Sequence, residues 1–502
     1  MAGNLISLTH FNGASMSYTY DTLNRLSTVV DNNLPAGQNT TTYAYDTASN
    51  LVTVTYPNQL QSTIQYDSLN RLTSLNTAPP NSSPVAGYSY TLGSTGNRTG
   101  AVEGNGRTLT WNYDGIYRLT NESVSNDPNS NNGSVGYDLD PVGNRTSVNS
   151  TLPGVASVSI TGFNADDWMS PETYDSNGNT LTTGGKTFAY DSENHLISMN
   201  GGAVKLIYDG DGNRVAKIVN GVTTQYLVDD VNPTGLPQVF EESINGVVQR
   251  TYTYGLQRIS EAQSISGTWT QSFYGYDGGG SVRQLTNASA AITDTYNYDA
   301  FGNLLNSTRS TPNNYLYRGE QFDSDLGLYY LRARYYNPAT GRFMSRDLLG
   351  GKTFAPKSLH KYLYASGDPV NRIDPRGRID VVEYVGRLIM DLKPAMQFIN
   401  TMGCVVGIGI SAMSSELNKN AAIGILATAY GCVRLAPTGL ATLSINPDID
   451  LGICAFSVYA EATDINEYLN NPTSSNQTQI YADAFGGVLG CGITALGLAL
   501  EE

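Results

Sequence analysis

The sequence predicts a mainly β protein, a series of antiparallel hairpins stacked into one long sheet, followed by a small helical C-terminal domain. Three observations carry this. A tyrosine, usually followed by Asp, recurs between residues 18 and 317 at intervals of about twenty residues, as in Tyr20-Asp21, Tyr66-Asp67 and Tyr298-Asp299. Each pair is followed by turn-forming residues and then a short alternation of apolar and polar side chains. After Gly377 the Tyr-Asp pairs stop, and Ala, Ile, Leu and Gly dominate.

A unit of this length holds a strand, a turn and a return strand. Tyr, with the Leu, Val or Ile beyond it, suits a pleated, half-buried surface. The residues between, such as Thr22-Leu23-Asn24 and Phe301-Gly302-Asn303, include the Asn and Gly that accept the backbone angles of tight turns. One hairpin cannot bury its apolar face alone, so neighbouring units must stack. Asp209-Gly210-Asp211-Gly212-Asn213 resembles a calcium loop, but an EF-hand needs Gly and Glu where the chain has Arg214 and Asn220. It is read as a repeat turn, and no metal or cofactor is expected. Residues 1–310 are assigned to the repeats, 311–377 to a core region and 378–502 to a variable helical domain. Gly3-Asn4-Leu5 matches the second half of a repeat, so the chain reads as beginning within one, with further sequence before it.

The repeats resemble the YD repeats of Rhs proteins, of the C components of insecticidal toxin complexes, and of teneurins. The stretch from Gly327 to Phe343, containing Tyr329-Tyr330-Leu331-Arg332-Ala333-Arg334-Tyr335-Tyr336, is similar to the Rhs-associated core. So is the later run through Tyr362-Leu363-Tyr364 and Asp368-Pro369-Val370-Asn371-Arg372-Ile373-Asp374-Pro375-Arg376-Gly377. The resemblance covers about residues 1–377. It implies a sheet winding into a hollow shell that encapsulates and delivers the C-terminal segment, in a secreted or cell-surface bacterial protein such as a polymorphic toxin. It also implies an immunity protein as partner. The competing reading is a cell-surface structural or adhesion protein with a non-toxic tail.

The resemblance further implies aspartate-dependent self-cleavage just after the terminal Asp-Pro-x-Gly, in the region of Gly377, Arg378 and Ile379. Asp347 and Asp374 would be the pair, with Asp368 as the substitute. Such chemistry needs one ionised carboxyl to activate water and one protonated carboxyl to donate to the amide. The first motif reads Asp347-Leu348-Leu349-Gly350, where the family usually has Asp-Pro, and Arg378 stands where it often has Leu.

Composition sets outer bounds. A chain of 502 residues can bury a large core, and its 34 Tyr against 12 Phe belong to the repeats. A net charge of −15 argues against a nucleic-acid-binding exterior. The N-terminus lacks the basic start and apolar stretch of a signal peptide. The four cysteines, Cys404, Cys432, Cys454 and Cys491, lie in the tail, where disulfides and buried thiols are both open readings.

In the tail, residues 381–399, 414–430 and 457–469 read as helices, and residues 484–500 form an uncharged apolar run. Small residues suit that run to close packing in a compact helical domain, with membrane contact as the alternative. The tail holds no histidine, the three being His10, His195 and His360, so histidine-based hydrolysis is excluded there. Its cations, Arg378, Arg387, Lys393, Lys419 and Arg434, are outnumbered by Asp and Glu, which disfavours nucleic acid as a substrate.

Overall fold

Alternation within each repeat builds strands whose apolar face is turned one way, and strand follows strand in sequence order. The computed structural model describes residues 4–378 apart from 11–12, 309 and 349–355, together with the strand Val381–Val382. One 14-stranded antiparallel sheet runs from Ser7–Thr9 to Val158–Ser159, and a second from Thr173–Tyr174 to Leu304–Thr308. A four-stranded sheet follows, made of Gln321–Asp323, Leu328–Leu331, Arg334–Asn337 and Arg342–Phe343. Arg372–Ile373 pairs with Val381–Val382. Helical structure among the described residues is confined to short 3₁₀ turns. The helix expected over residues 381–399 therefore does not start at its first position, because Val381 and Val382 extend to pair with the core region. Its remainder, the other expected helices, the cysteines and residues 484–500 lie outside the described residues.

The Tyr-Asp motif folds the same way in copy after copy. Asp21 Oδ1 accepts from the backbone N–H of Leu23 and Arg25, both at 2.9 Å, while Arg25 Nε donates to Oδ2 at 2.7 Å. Asp67 with Arg71 and Asp114 with Arg118 repeat the arrangement, and Asp299 with Asn303 is an uncharged version. The residue three after the Asp takes a positive φ, 61° at Asn24 and 92° at Gly302, which explains the Asn/Gly preference there. The turn adds one residue to the return strand, so the register shifts at Tyr20, Tyr66, Tyr208 and Tyr298 alike. Asp209 makes the same turn, accepting from the N–H of Asp211 and Asn213.

Tyr rather than Phe heads each unit because the hydroxyl reaches the preceding hairpin. Tyr20 donates to Leu5 O, Tyr66 to Leu51 O, Tyr208 to Leu196 O and Tyr298 to Val282 O, at 2.8–3.1 Å. Each bond caps a carbonyl at the sheet margin and ties one repeat to the next.

The two large sheets bury their apolar faces together. Met16, Tyr18 and Val29 of the first share a core with Phe240, Tyr252, Tyr274 and Leu285 of the second and with Tyr329 and Tyr336 of the four-stranded sheet. Some of the polar groups sealed between these layers are paired across them. Arg283 bonds Glu103 at 2.8 Å, and Glu122 accepts from Ala300 N at 2.7 Å.

Glu261 lies in the second sheet, fully buried, and accepts from Tyr274 Oη at 2.9 Å and Gln263 Nε2 at 3.2 Å. Burial pushes its carboxyl from 4.5 up to about 7. The unfolded chain ionises this group above about pH 4.5 while the fold keeps its proton, so its contribution falls as pH rises through that window. Glu261→Gln removes the penalty, since Tyr274 can accept from the amide and still donate to Asn313 Oδ1. Denaturant melts are expected to show little difference from wild type near pH 4 and a gain of about 3 kcal/mol at pH 8.

Candidate cleavage site at the end of the core region

The turn between Leu328–Leu331 and Arg334–Asn337 forms the floor of the site. Residues 374–378 lie across it. Ala333 N donates to Arg376 O at 3.3 Å, and Arg332 Nη1 to Pro375 O. Gly377 has φ +62°, and a Cβ there would stand 2.6 Å from Leu331 O. Only glycine lets the chain pass this close.

Arg334 is the centre of the cluster. Its Nη2 stands 3.1 Å from Asp347 Oδ2 and 3.4 Å from Asp374 Oδ2, so the two oxygens are no more than about 6.5 Å apart. Its Nε donates to Gly377 O, and its Nη1 to Lys361 O at 3.1 Å. Asp374 Oδ1 accepts from Arg378 N at 3.0 Å. The Gly377–Arg378 peptide unit is therefore held at both ends, its carbonyl by a guanidinium and its N–H by a carboxylate. Burial pulls the Arg334 guanidinium down and the two carboxylates push it up. A guanidinium between two carboxylates keeps its proton.

The two acids differ in setting. The Asp374 side chain is 3% exposed, against 17% for Asp347, whose backbone N–H is fixed on Lys361 O at 3.0 Å. A cavity of about 90 Å³ beside Asp374, bounded by Arg332, Tyr364 and Pro375, has room for water.

Asp368 makes its contacts elsewhere. Both its oxygens accept from Asn371 Nδ2, at 2.9 and 3.1 Å, and burial pushes its carboxyl up. Asn371 in turn accepts from Arg98 N at 2.7 Å and donates to Tyr113 Oη at 3.1 Å. Asp368 thus fixes the turn that joins the core region to the first large sheet. Ile379 lies outside the described residues. Sequence reasoning named both acids of the cluster but missed Arg334. The available signal was a cation in the core stretch within reach of two carboxylates that could not otherwise lie close together.

Comparisons with known proteins agree with this architecture. Residues 155–370 match the teneurin YD-shell family. The tRNA3(Ser)-specific nuclease WapA of Bacillus spizizenii is 34% identical over 212 residues, 41% of this chain and 9% of that protein. Salivary gland surface protein 1 of Aedes aegypti is 29% identical over 146 residues, 28% of this chain and 4% of that one. The chain thus spans less than a tenth of these relatives. Among solved structures, the Tc holotoxin pore of Photorhabdus luminescens superposes with a TM-score of 0.63 at 18% identity, covering 76% of this chain and 21% of that one. TcdB2–TccC3 without its hypervariable C-terminal region superposes with a TM-score of 0.62 at 19% identity, covering 75% and 21%. Hairpin repeats latched by tyrosine, the family match and the shared fold lead to one assignment: residues 155–370 match the teneurin YD-shell family, and the described residues have a YD-shell fold.

Proposed function

We propose that this chain is the shell of a secreted bacterial polymorphic toxin, which holds the segment after Gly377 and frees it by hydrolysing the Gly377–Arg378 bond. The observation that carries the proposal is the double hold on that peptide unit by Arg334 and Asp374, with Asp347 on the same guanidinium. In this reading Asp347, the more exposed acid, takes a proton from water as it attacks the Gly377 carbonyl. Arg334 stabilises the oxyanion that forms. Asp374, once it has taken a proton from solvent, gives it to the departing Arg378 nitrogen, whose N–H it holds in the uncut chain. The products are a Gly377 carboxylate and an Arg378 amine. The partners are the chain's own C-terminal segment and an immunity protein.

The nuclease activity named for the Bacillus relatives is not carried over, because the tail here is acidic and lacks histidine. Membrane contact through residues 484–500, or binding to a target protein, fits its composition better. The likeness to a salivary gland surface protein favours a second reading, a surface protein whose tail is harmless. Expression of residues 378–502 alone inside a bacterium separates the two. Growth arrest, relieved by the product of an adjacent gene, is expected from the toxin reading. Normal growth at high expression would overturn it.

A further inference from the structure

His360 is buried, and both of its ring nitrogens are engaged. Nε2 stands 2.8 Å from Asn144 Oδ1. The backbone nitrogens of Tyr362 and Leu363 stand 3.1 Å from Nδ1. The direction of each bond follows from the neighbours. Asn144 Nδ2 donates to Asp167 Oδ1 at 2.7 Å and to Asp140 Oδ2 at 3.1 Å, so Oδ1 is the accepting end of that amide. It also accepts from Arg342 Nη1 at 2.6 Å. His360 Nε2 must therefore carry the hydrogen, and Nδ1 presents a bare lone pair to two N–H groups.

Only the neutral imidazole fits this setting. A proton on Nδ1 would face two donors and remove both bonds. The charges around the ring are Arg342 from the four-stranded sheet, Asp140 and Asp167 from two turns, and Arg118, which donates to Asp140 O at 2.9 Å. Burial, and then Arg342, push the imidazole down to about 4.

The turn that His360 closes reaches the candidate cleavage site. Lys361 O, within it, accepts from Asp347 N at 3.0 Å and from Arg334 Nη1 at 3.1 Å. Tyr362 O accepts from Phe343 N at 2.9 Å, which docks the turn on the four-stranded sheet. One carbonyl thus aims both the acid that activates water and the guanidinium, and His360 fixes that carbonyl from the adjacent position.

We propose that His360 is a positioning residue for cutting at Gly377–Arg378: as a neutral ring it holds the 360–363 turn, and through Lys361 O it sets Asp347 and Arg334. The inference rests on the cleavage reading above and gives His360 no proton to transfer. It also makes the hold sensitive to acid. The unfolded chain takes this proton below about pH 6.5 while the fold excludes it down to about pH 4, so the hold weakens as pH falls through that window.

Two uncharged variants separate the two nitrogens. His360→Asn puts an amide oxygen where Nδ1 stands, keeping an acceptor for the turn with no proton to gain. His360→Gln reaches towards Asn144 as Nε2 does and loses that acceptor. Cutting is followed over time by denaturing electrophoresis after cell-free synthesis. The Gln variant should cut more slowly by about 10²-fold, the cost of a small misplacement of reacting groups, and the Asn variant at close to the wild-type rate. Hydrogen exchange in full-length chains kept whole by Asp374→Asn should be faster at the Asp347 and Leu363 amides when His360→Gln is added. Should His360→Gln fail to fold, melting decides: wild type should lose more melting temperature between pH 7 and about pH 4.5 than His360→Asn. Equal cutting by the Asn and Gln variants, unchanged exchange at Asp347, or an equal loss of melting temperature would each overturn the proposal. A wild type that stays whole, with exchange at Asp347 still raised by His360→Gln, would overturn the cleavage reading and support the hold of His360 on Asp347.

Discussion

Asp374→Asn is expected to slow cutting after Gly377 by about 10²–10⁴-fold, the range for loss of a positioned proton donor. The replacement keeps shape and size, and the amide oxygen can still accept from Arg378 N, so the turn across Leu331 and Arg334 should persist. What is lost is the ionisable proton at the leaving nitrogen. Denaturing electrophoresis should show one full-length band where wild type shows two. Asp347→Asn should slow cutting too, because the attacking water loses its base. Asp368→Asn should leave cutting intact, since Asp368 spends both oxygens on Asn371. Cutting of Asp374→Asn at the wild-type rate would remove Asp374 from the chemistry.

The largest effect on stability is expected at Arg214→Met. Arg214 is 2% exposed and links the second large sheet to the four-stranded one. Its Nη1 donates to Asp323 and, at 2.6 Å, to Tyr335 Oη, while Nη2 donates to Gln321 Oε1 at 2.7 Å. The ring of Tyr330 covers its carbon centre at 4.4 Å. Two positive charges, Arg214 and Lys217, hold the buried Asp323 carboxyl below its ordinary range. Removing Arg214 leaves that carboxylate with Lys217, at 2.9 Å, as its remaining charged partner beside the Tyr335 hydroxyl at 3.3 Å, and strands Gln321. Breaking one side of a buried pair costs about 3–5 kcal/mol, equivalent to a fall of several degrees in melting temperature. The double variant with Asp323→Asn should recover part of the loss, because no buried charge is then left unpaired. A melting temperature unchanged in Arg214→Met would show that the pair contributes nothing to the join.

The repeats were legible because their instructions are local. Asp21, the positive-φ Asn24 and Arg25 lie within five positions and make one another's hydrogen bonds, so the turn can be read from the string. The tyrosine latch was half legible. The periodic Tyr was plain, but its hydroxyl bonds a carbonyl in the preceding repeat, as Tyr298 does with Val282, and that needs the stacking register. The site was the least legible. Asp347 and Asp374 came from resemblance, whereas the grouping of Arg334 with both depends on a core sheet folding under residues 374–378.

Whether the shell cuts and retains its own C-terminal segment is read from the mass of the natively purified protein. A single size-exclusion peak should be collected and its components weighed under denaturing conditions. Two polypeptides are expected from that one peak, joined in sequence at Gly377 and Arg378. A single intact chain of 53.9 kDa would contradict the cut, and a tail eluting apart from the shell would contradict retention.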